Sequence, residues 1–394
     1  MWVVRLQRQL LEAICDVSVC GTHVTEPWVI TQLPQLDHQW VTGLCQSYKS
    51  KQKPRMTLLA YMEAMADYPP AVKTELLEAF KHDLQVLEDL ERGVRPGRTM
   101  RGIQAIGNKQ QQKEIRAFFE LFYEPNFDKG KGYPTTTIGN QPVNFDRSHF
   151  VEQFKDENTF TAVCPLCDGQ RGIAQVDHFY PKSRYPFLSC HPLNLIPICK
   201  DCNMAPCKGE KPPIAHRAQT NQMEEWFHPV LEPLADWTDS ATHPNSSQFR
   251  IEFKRKNGPT APVPASDDRR TTKRLENLDK LIRINSRWHD ELKNQYMAAI
   301  RIIQSYRRER KQGMTEQELV RRLELWAEEA KSKIGIEIHC ILKHFYFKEA
   351  AQRDTKLFLE LWIENTDGDP FLSLLRLIQA FSRDSSGFSR RSIT

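Results

Sequence analysis

The residues most able to do chemistry in this 394-residue chain are concentrated between positions 164 and 208. Two Cys-x-x-Cys pairs lie in this stretch, Cys164 with Cys167 and Cys199 with Cys202. Thiolates are preferred ligands of structural zinc, and each such pair offers two sulfurs from one tight turn. The spacing therefore predicts one tetrahedral zinc site that is closed by four cysteines.

A second set of polar residues lies between the cysteine pairs and directly after them. Asp177 and His178 are adjacent, Asn194 follows, and Asn203 comes directly after the last cysteine. A histidine with an ordinary pKa of about 6.5 is largely neutral at cellular pH and can accept a proton. Asp and Asn offer hard oxygen donors of the kind that Mg²⁺ and Mn²⁺ prefer. These residue types suit phosphodiester hydrolysis, in which a base activates water and a cation neutralises charge on the phosphate oxygens.

The arrangement of these residues resembles the HNH, or ββα-metal, nuclease motif in its zinc-bound form. In that motif a Cys-x-x-Cys pair precedes a strand ending in Asp-His, an Asn precedes the second strand, and Cys-x-x-Cys-Asn opens a helix. The segments DHFYPKSRYPFLS, PLNLIP and CKDCN further resemble the HNH subunits of Septu-type and retron-linked anti-phage systems. The resemblance covers about forty-five of the 394 residues.

The resemblance implies a role for each polar residue of the motif. His178 is the expected general base, and Asp177 and Asn203 are the expected ligands of a catalytic Mg²⁺ or Mn²⁺ ion. Asn194 is expected to tie the loop to the backbone and to orient His178 without touching the metal. Contacts with nucleic acid are expected from three basic residues, Lys182, Arg184 and Lys208.

Some features depart from the motif. Many HNH proteins have a histidine where Asn203 stands, and Asn is the weaker metal ligand. Related sequences usually have a lysine within one turn of the helix-opening residue, whereas here MAPC separates Asn203 from Lys208. Pro206 should also end the last helix early. His191 and Cys207 are spare potential ligands, although a plain thiol is the favoured interpretation of Cys207.

Composition and charge limit the class of protein. Hydrophobic residues make up 40% and charged residues 27%, which is typical of a soluble globular chain. The net charge of +5 permits nucleic-acid binding but does not establish it. Paired and scattered cysteines fit a metal in a reducing compartment better than a disulfide framework. The charged N-terminal segment predicts an amphipathic helix rather than a signal peptide, and no apolar run could span a bilayer, so the prediction is a cytoplasmic protein.

Helical periodicity on both sides of the motif predicts a mostly α fold, and the resemblance implies a central zinc-bound ββα-metal (HNH) core within it. The predicted regions are a helical N-terminal region (1–92), a linker with short helices (93–155), the HNH core with its zinc knuckles (156–260), and a helical C-terminal region with a disordered tail (261–394).

Several local predictions can be compared with the structure. The Gly-rich basic run 93–113 and the Pro-rich run 257–266 predict linkers or loops, and 248–256 predicts a strand. Ser266 or Asp267 should cap the start of a long helix. Residues 267–311 contain 13 basic and 7 acidic residues, which suggests a surface that either faces phosphates or is simply solvated. Further helices are predicted at 338–352, 356–365 and 370–382.

The sequence supports functions of two classes. The first is a metal-dependent endonuclease that cuts DNA as an effector of anti-phage defence; the resemblance implies an ATPase partner and allows a retron RNA or DNA. A stand-alone restriction or mobile-element nuclease is its variant. The second is a zinc-stabilised module that binds nucleic acid or protein without catalysis, in which His178 is merely packed.

Overall fold

The structure of the chain is a computed structural model. The chain folds as two units, of which the first comprises 1–159 with 172–224 and the second comprises 160–171 with 225–394. The predicted helices at 356–365 and 370–382 and the predicted disordered tail lie outside the described residues. The described residues are 2–49, 55–92, 100–128, 132–134, 144–157, 163–170, 175–213, 228–229, 250–255, 260–265, 269–292, 294–295, 298, 301, 315–334 and 336–353.

The first unit is built mainly from helices, which confirms the predicted mostly α fold. A π-helical segment, Phe122–Asp128, continues directly from helix α6 (Lys109–Leu121). Two short paired strands are β1 (Tyr133–Pro134) and β2 (Asn144–Phe145). The helices of this unit that precede the motif are α1 (Trp2–Ile14), α2 (Glu26–Gln32), α3 (His38–Cys45), α4 (Leu58–Ala66), α5 (Pro70–Glu91), α6 (Lys109–Leu121) and α7 (Arg147–Glu157).

The apolar core of the first unit includes the loop of the motif. Phe80 on α5 stacks on Phe119 of α6, with ring centroids 5.7 Å apart. Phe187, in a short 3₁₀ turn of the motif loop, packs edge-on against Phe119 at 5.1 Å. All three rings are fully buried, and burying such a side chain stabilises a fold by roughly 1.5–3 kcal/mol. The loop between Asp177-His178 and Asn194 is therefore held in place by the helical core.

The described part of the run 93–113 is a loop at 100–108, as predicted, but it is held in place, and residues 109–113 already belong to α6. Asp83 of α5 is completely buried, and its two carboxylate oxygens accept hydrogen bonds from Arg101 N at 2.7 Å and Gly102 N at 2.8 Å. Ile103 N then donates to Arg184 O in the motif loop at 3.1 Å. A buried carboxylate requires hydrogen-bond donors, and the backbone of this run supplies them to Asp83. The composition of the run does not reveal this contact, because Asp83 lies in a different element.

Gly102 in this anchored segment has a positive φ of +60°, which is a conformation that favours glycine. An added Cβ would lie 2.5 Å from Arg184 O, too close for any real contact. The close approach of two backbones therefore requires glycine at this position.

A ββα arrangement follows in the same unit. Strand β3 (Gln175–His178) pairs antiparallel with β4 (Leu195–Ile198), with Asp177 opposite Ile196 and His178 opposite Leu195. Helix α8 (Lys200–Asn203) begins directly after β4 and contacts β3. Met204 is extended, so the helix has a single turn, and the early end that Pro206 predicted is confirmed.

The second unit contains a hairpin that the sequence only half predicted. Strand β5 (Arg250–Arg255) pairs antiparallel with β6 (Thr260–Ala265). The prediction of a strand at 248–256 is confirmed for its described residues, whereas the predicted linker at 257–266 was wrong at β6. Proline disfavours central strands, but a two-stranded hairpin consists of edges, where proline is tolerated.

The predicted long helix of the second unit is interrupted. Helix α9 (Arg269–Ile282) ends before Arg283, whose φ is +56°, and helical structure resumes at 284–292. Asp279 stabilises the break, because its carbonyl accepts from Arg283 N at 2.7 Å and its carboxylate accepts from Asn285 N at 2.9 Å. Leu278, Ile282 and Trp288 are buried.

Two packed helices complete the described part of the second unit, α10 (Glu316–Ser332) and α11 (Cys340–Arg353). Thr315 and Glu318 form a capping box at the start of α10. His344 of α11 is buried, its Nδ1 donates to Ala327 O of α10 at 2.8 Å, and burial lowers the pKa of His344. Among the helices described for this chain, none is both long enough and apolar enough to cross a bilayer.

Candidate active site and metal centre

Four buried cysteines form the cluster that the spacing predicted. The sulfurs of Cys164, Cys167, Cys199 and Cys202 all lie within 4.8 Å of one another. Four thiolates at such separations could hold a metal ion such as zinc in tetrahedral coordination. In the described part of the chain, no other His, Cys, Asp or Glu residue joins this group, so His191 and Cys207 are outside it.

Local backbone structure forms each half of the cluster. Cys164 and Cys167 share a tight turn in which Cys167 N donates to Cys164 O at 3.2 Å and Cys164 N donates to Gly169 O at 2.9 Å. Cys199 is the N-cap of α8, and its sulfur accepts a hydrogen bond from Cys202 N at 3.4 Å. Each pair therefore directs two sulfurs to one point.

The Asp177-His178 doublet ends strand β3. Side chains alternate along a strand, so Gln175 and Asp177 lie on one face while Val176 and His178 lie on the other. The burial follows this alternation, with Val176 and His178 the more buried pair. The two members of the doublet therefore meet different surroundings although they are neighbours in sequence.

His178 is packed against the helical core. Its Nε2 lies 3.0 Å from Ser189 O, and because a carbonyl only accepts, Nε2 carries the proton and Nδ1 is the basic nitrogen. The ring of Tyr123 contacts the imidazole edge-on, with centroids 4.4 Å apart. The residue is 8% exposed. Burial, assisted by the positive charge of Lys182, lowers the pKa of His178 to about 3.

Asp177 is paired with a lysine that was predicted to bind nucleic acid. Lys208 Nζ lies 2.6 Å from Asp177 Oδ2, and the lysine side chain has no solvent exposure. Burial raises the pKa of Asp177, and the charge of Lys208 opposes that shift. The prediction for Lys208 is corrected, because a fully buried ammonium in an ion pair cannot also contact a phosphate in this conformation.

Asn203 lies on the same face of β3 as Asp177. Its Nδ2 donates to Gln175 Oε1 at 2.8 Å, and Gln175 is two residues before Asp177 on the strand. This bond uses the amide nitrogen, so the amide oxygen is the atom that remains for a metal. The fold thus brings the two predicted oxygen ligands to one side of the strand.

Asn194 forms the loop tie that was expected of it. Its side chain is completely buried; Oδ1 accepts from Tyr180 N at 2.6 Å, and Nδ2 donates to Tyr180 O at 3.1 Å and Leu188 O at 2.9 Å. Its own carbonyl accepts from Phe179 N at 2.8 Å. These bonds fix the chain immediately after His178 to the loop that carries the carbonyl of Ser189.

The remaining predicted residues lie in the motif loop. Lys182 is partly exposed; its Nζ is 2.7 Å from Glu124 Oε1 and 5.3 Å from the centre of the Tyr123 ring. Lys49 contacts Glu120 and lies 3.9 Å from Glu124, so Glu124 belongs to a small charge network. Arg184 is half-buried. Nucleic-acid contacts by Lys182 and Arg184 stay a prediction.

Sequence reasoning missed two groups that contact the imidazole. The ring of Tyr123 comes from the π-helical segment, and the carbonyl of Ser189 comes from the motif loop. Burial raises the pKa of Cys190 to about 12, which is the state of an inert buried thiol. No local pattern in the sequence shows which loop the π-helical segment contacts.

Comparisons with known proteins identify no family for the chain. No protein-family model matches it, and no solved structure matches it. A stretch of 69 residues is 35% identical to protein ea31 of Escherichia phage lambda. That stretch is 18% of this chain and 21% of the phage protein, so the chain spans only about a fifth of that relative. The similarity is partial and its name states no activity, so the resemblance to HNH nucleases stays a prediction.

Proposed function

We propose that this chain is a metal-dependent HNH-type endonuclease that hydrolyses phosphodiester bonds of DNA. One observation carries the proposal: β3, β4 and α8 form a ββα arrangement in which Asp177 and Asn203 lie on one side of β3. His178 ends the same strand, and the four-cysteine cluster includes two residues of the α8 turn. This arrangement supports the resemblance to the HNH motif.

The chemistry of the donor set fits a divalent cation. Asp177 offers a carboxylate oxygen and Asn203 an amide oxygen, both of which suit Mg²⁺ or Mn²⁺ and not the thiolate-bound zinc. When bound, the cation would supply positive charge to the phosphate oxygens and to the leaving oxygen. Asp177 and Asn203 would hold it, while the cysteine cluster would stabilise α8.

His178 would act as the base in this scheme. It is neutral at pH 7, since its pKa lies at about 3, and its Nδ1 can accept a proton from the attacking water. The hydrogen bond from Nε2 to Ser189 O fixes the tautomer, and the Tyr123 ring fixes the ring plane. A phosphodiester brings negative charge to the imidazole, and that charge raises the pKa of a base and strengthens it.

Lys182 would contact a flanking phosphate. Its ammonium is partly exposed and is paired with Glu124. It also lies 5.3 Å from the centre of the Tyr123 ring, which contacts His178. A phosphate can replace that carboxylate, because both are oxygen anions of similar hydrogen-bonding geometry. Arg184, two residues further along the loop, would add a second contact.

The biological role belongs to the same proposal. Resemblance to HNH subunits of anti-phage systems supports an effector nuclease that works with an ATPase partner, with retron RNA or DNA as a further partner, in the cytoplasm. A stand-alone restriction or mobile-element nuclease would need the same site chemistry. Copurification with neighbouring gene products separates the two roles.

The direct test is cleavage of supercoiled plasmid DNA by the full chain with Mg²⁺ or Mn²⁺. We expect His178→Ala to lower the cleavage rate by about a hundredfold or more, as is usual for loss of a positioned base. Asp177→Asn should abolish the metal-dependent rate. The matched control is His38→Ala, because His38 is exposed on α3 and should leave the rate unchanged.

A zinc-stabilised binding module is the second candidate, and a specific observation favours it. His178 is almost fully buried with a low pKa, and Asp177 is already neutralised by Lys208, which is how residues that only support a fold are arranged. This candidate predicts that the wild-type chain binds nucleic acid or protein but cuts neither DNA nor RNA, with or without a partner. Equal cleavage rates for wild type and His178→Ala would refute the role of His178.

A further inference from the structure

The ammonium of Lys208 has the oxygen surroundings of a bound cation. Nζ lies 2.6 Å from Asp177 Oδ2, 2.8 Å from His178 O and 3.4 Å from Gly209 O. The side chain is fully enclosed. One carboxylate and two carbonyls therefore converge on a single positive charge, and this is the kind of oxygen set that hard metal ions also take.

The fold holds the backbone of Lys208 in position. Lys208 N donates to Cys202 O at 3.1 Å, which fixes the residue to the α8 turn, and Lys211 N donates to Lys208 O at 2.8 Å. The bond from Nζ to His178 O also joins Lys208 to the end of β3. The ion pair is therefore anchored at both the strand and the helix.

We propose that Lys208 is a built-in competitor for the divalent cation at Asp177, and that a metal ion must displace its ammonium to bind. This inference rests on the proposed function, because it takes Asp177 as a metal ligand. Two cations that share one carboxylate repel each other, and the repulsion is strong where water is excluded. Without the metal, Lys208 neutralises a carboxylate whose burial would otherwise be costly.

Displacement of the Lys208 ammonium by the metal ion has a measurable consequence for the affinity of the chain for Mn²⁺. Wild-type chain should bind Mn²⁺ weakly, because each binding event must also release Lys208 from three oxygen partners. Removal of the ammonium should raise the affinity at Asp177 by at least about tenfold, since one repelling charge within a few ångström is lost. A lysine that instead assists the metal would give the opposite change.

The experiment is a Mn²⁺ titration of the full chain by calorimetry, for wild type, Lys208→Met, Lys208→Gln and Asp177→Asn. Methionine keeps the length and volume of the side chain, and glutamine retains a donor for Asp177. The matched control is Lys211→Met, which removes a positive charge from the same loop; Lys211 Nζ donates to Pro206 O at 2.6 Å and not to Asp177.

Tighter binding by at least tenfold in either Lys208 variant, no change in Lys211→Met and loss of binding in Asp177→Asn would support the inference. Metal binding that depends on Asp177 but is equal or weaker in the Lys208 variants would overturn it and leave the proposed metal site intact. Binding that is unaffected by Asp177→Asn would overturn the metal site itself, and with it the competition.

A second measurement uses only the wild-type chain, so it does not depend on whether a variant folds. Lysines are labelled by reductive methylation with and without saturating Mn²⁺, and the labels are located by peptide mass spectrometry. Displacement predicts that the label at Lys208 rises at least fivefold with Mn²⁺, while the label at Lys211 stays constant. Protection of Lys208 at saturating Mn²⁺ would overturn the proposal.

Discussion

Replacement of Asn194 by alanine should open the motif loop. The side chain makes three hydrogen bonds to backbone groups of Tyr180 and Leu188 and has no solvent exposure. Each bond contributes about 1 kcal/mol net, and the backbone groups left behind are buried without a new partner. We therefore expect Asn194→Ala to lower the free energy of local opening by about 3 kcal/mol, which is roughly a 150-fold change in the opening equilibrium.

Hydrogen exchange followed by mass spectrometry is the suitable assay, because it measures opening of β3 and β4 separately from unfolding of the rest of the chain. Peptides that cover 175–198 should exchange about a hundredfold faster in the variant. Peptides from α10 and α11 provide an internal reference, since they contain none of these bonds.

Asn203→Ala is the matched control for this prediction. Asn203 is half-buried, and its side chain donates a single hydrogen bond to Gln175, so its loss should cost less than about 1 kcal/mol. If Asn194→Ala exchanged within threefold of wild type, or no faster than Asn203→Ala, the three bonds would not hold the loop, and the reasoning would be refuted.

Three further predictions concern the backbone, the cysteine cluster and a buried histidine. Gly102→Ala should lower the free energy of unfolding by at least about 1 kcal/mol, because its φ is positive and its Cβ would clash; urea denaturation measures this. Cys202→Ser should remove most of the one zinc per chain expected by elemental analysis, since it deletes a clustered sulfur. The melting temperature should fall as the pH drops from 7.5 to 5.5. One reason is that burial lowers the pKa of His344 in the folded chain, so the imidazole stays neutral there. In the unfolded chain the same imidazole binds a proton below about pH 6.5, which favours unfolding.

Each of these three predictions has a control. Gly43→Ala, at an exposed position of α3, should raise the free energy of unfolding by up to about 1 kcal/mol, because the added Cβ meets nothing within 4 Å. If Gly102→Ala were as stable as Gly43→Ala, the argument for backbone strain at Gly102 would be contradicted. The Cys207→Ser variant should retain the same zinc content per chain as wild type, since Cys207 lies outside the cluster. His344→Met should flatten the pH dependence, and an unchanged slope would show that His344 does not contribute to it.

The features that local sequence determines were predictable. The apolar spacing of α1, the capping box at Thr315 and the break after the α8 turn each depend on residues within one or two helical turns. The four cysteines were also identified from spacing, because two-residue gaps bring two sulfurs together in any such turn. The strand that ends in Asp177-His178 was implied by the motif resemblance.

What only the tertiary structure decided is how each group is surrounded. The residues that bury His178 come from the continuation of α6 and from the motif loop, and Lys208 reaches Asp177 across thirty-one positions of sequence, from 177 to 208. A basic residue after a helix looks like a phosphate ligand until the fold shows the anion that it faces. Sequence therefore determined which chemical groups are present, whereas long-range packing set their charges, partners and access to solvent, because burial and ion pairing depend on residues that are distant along the chain.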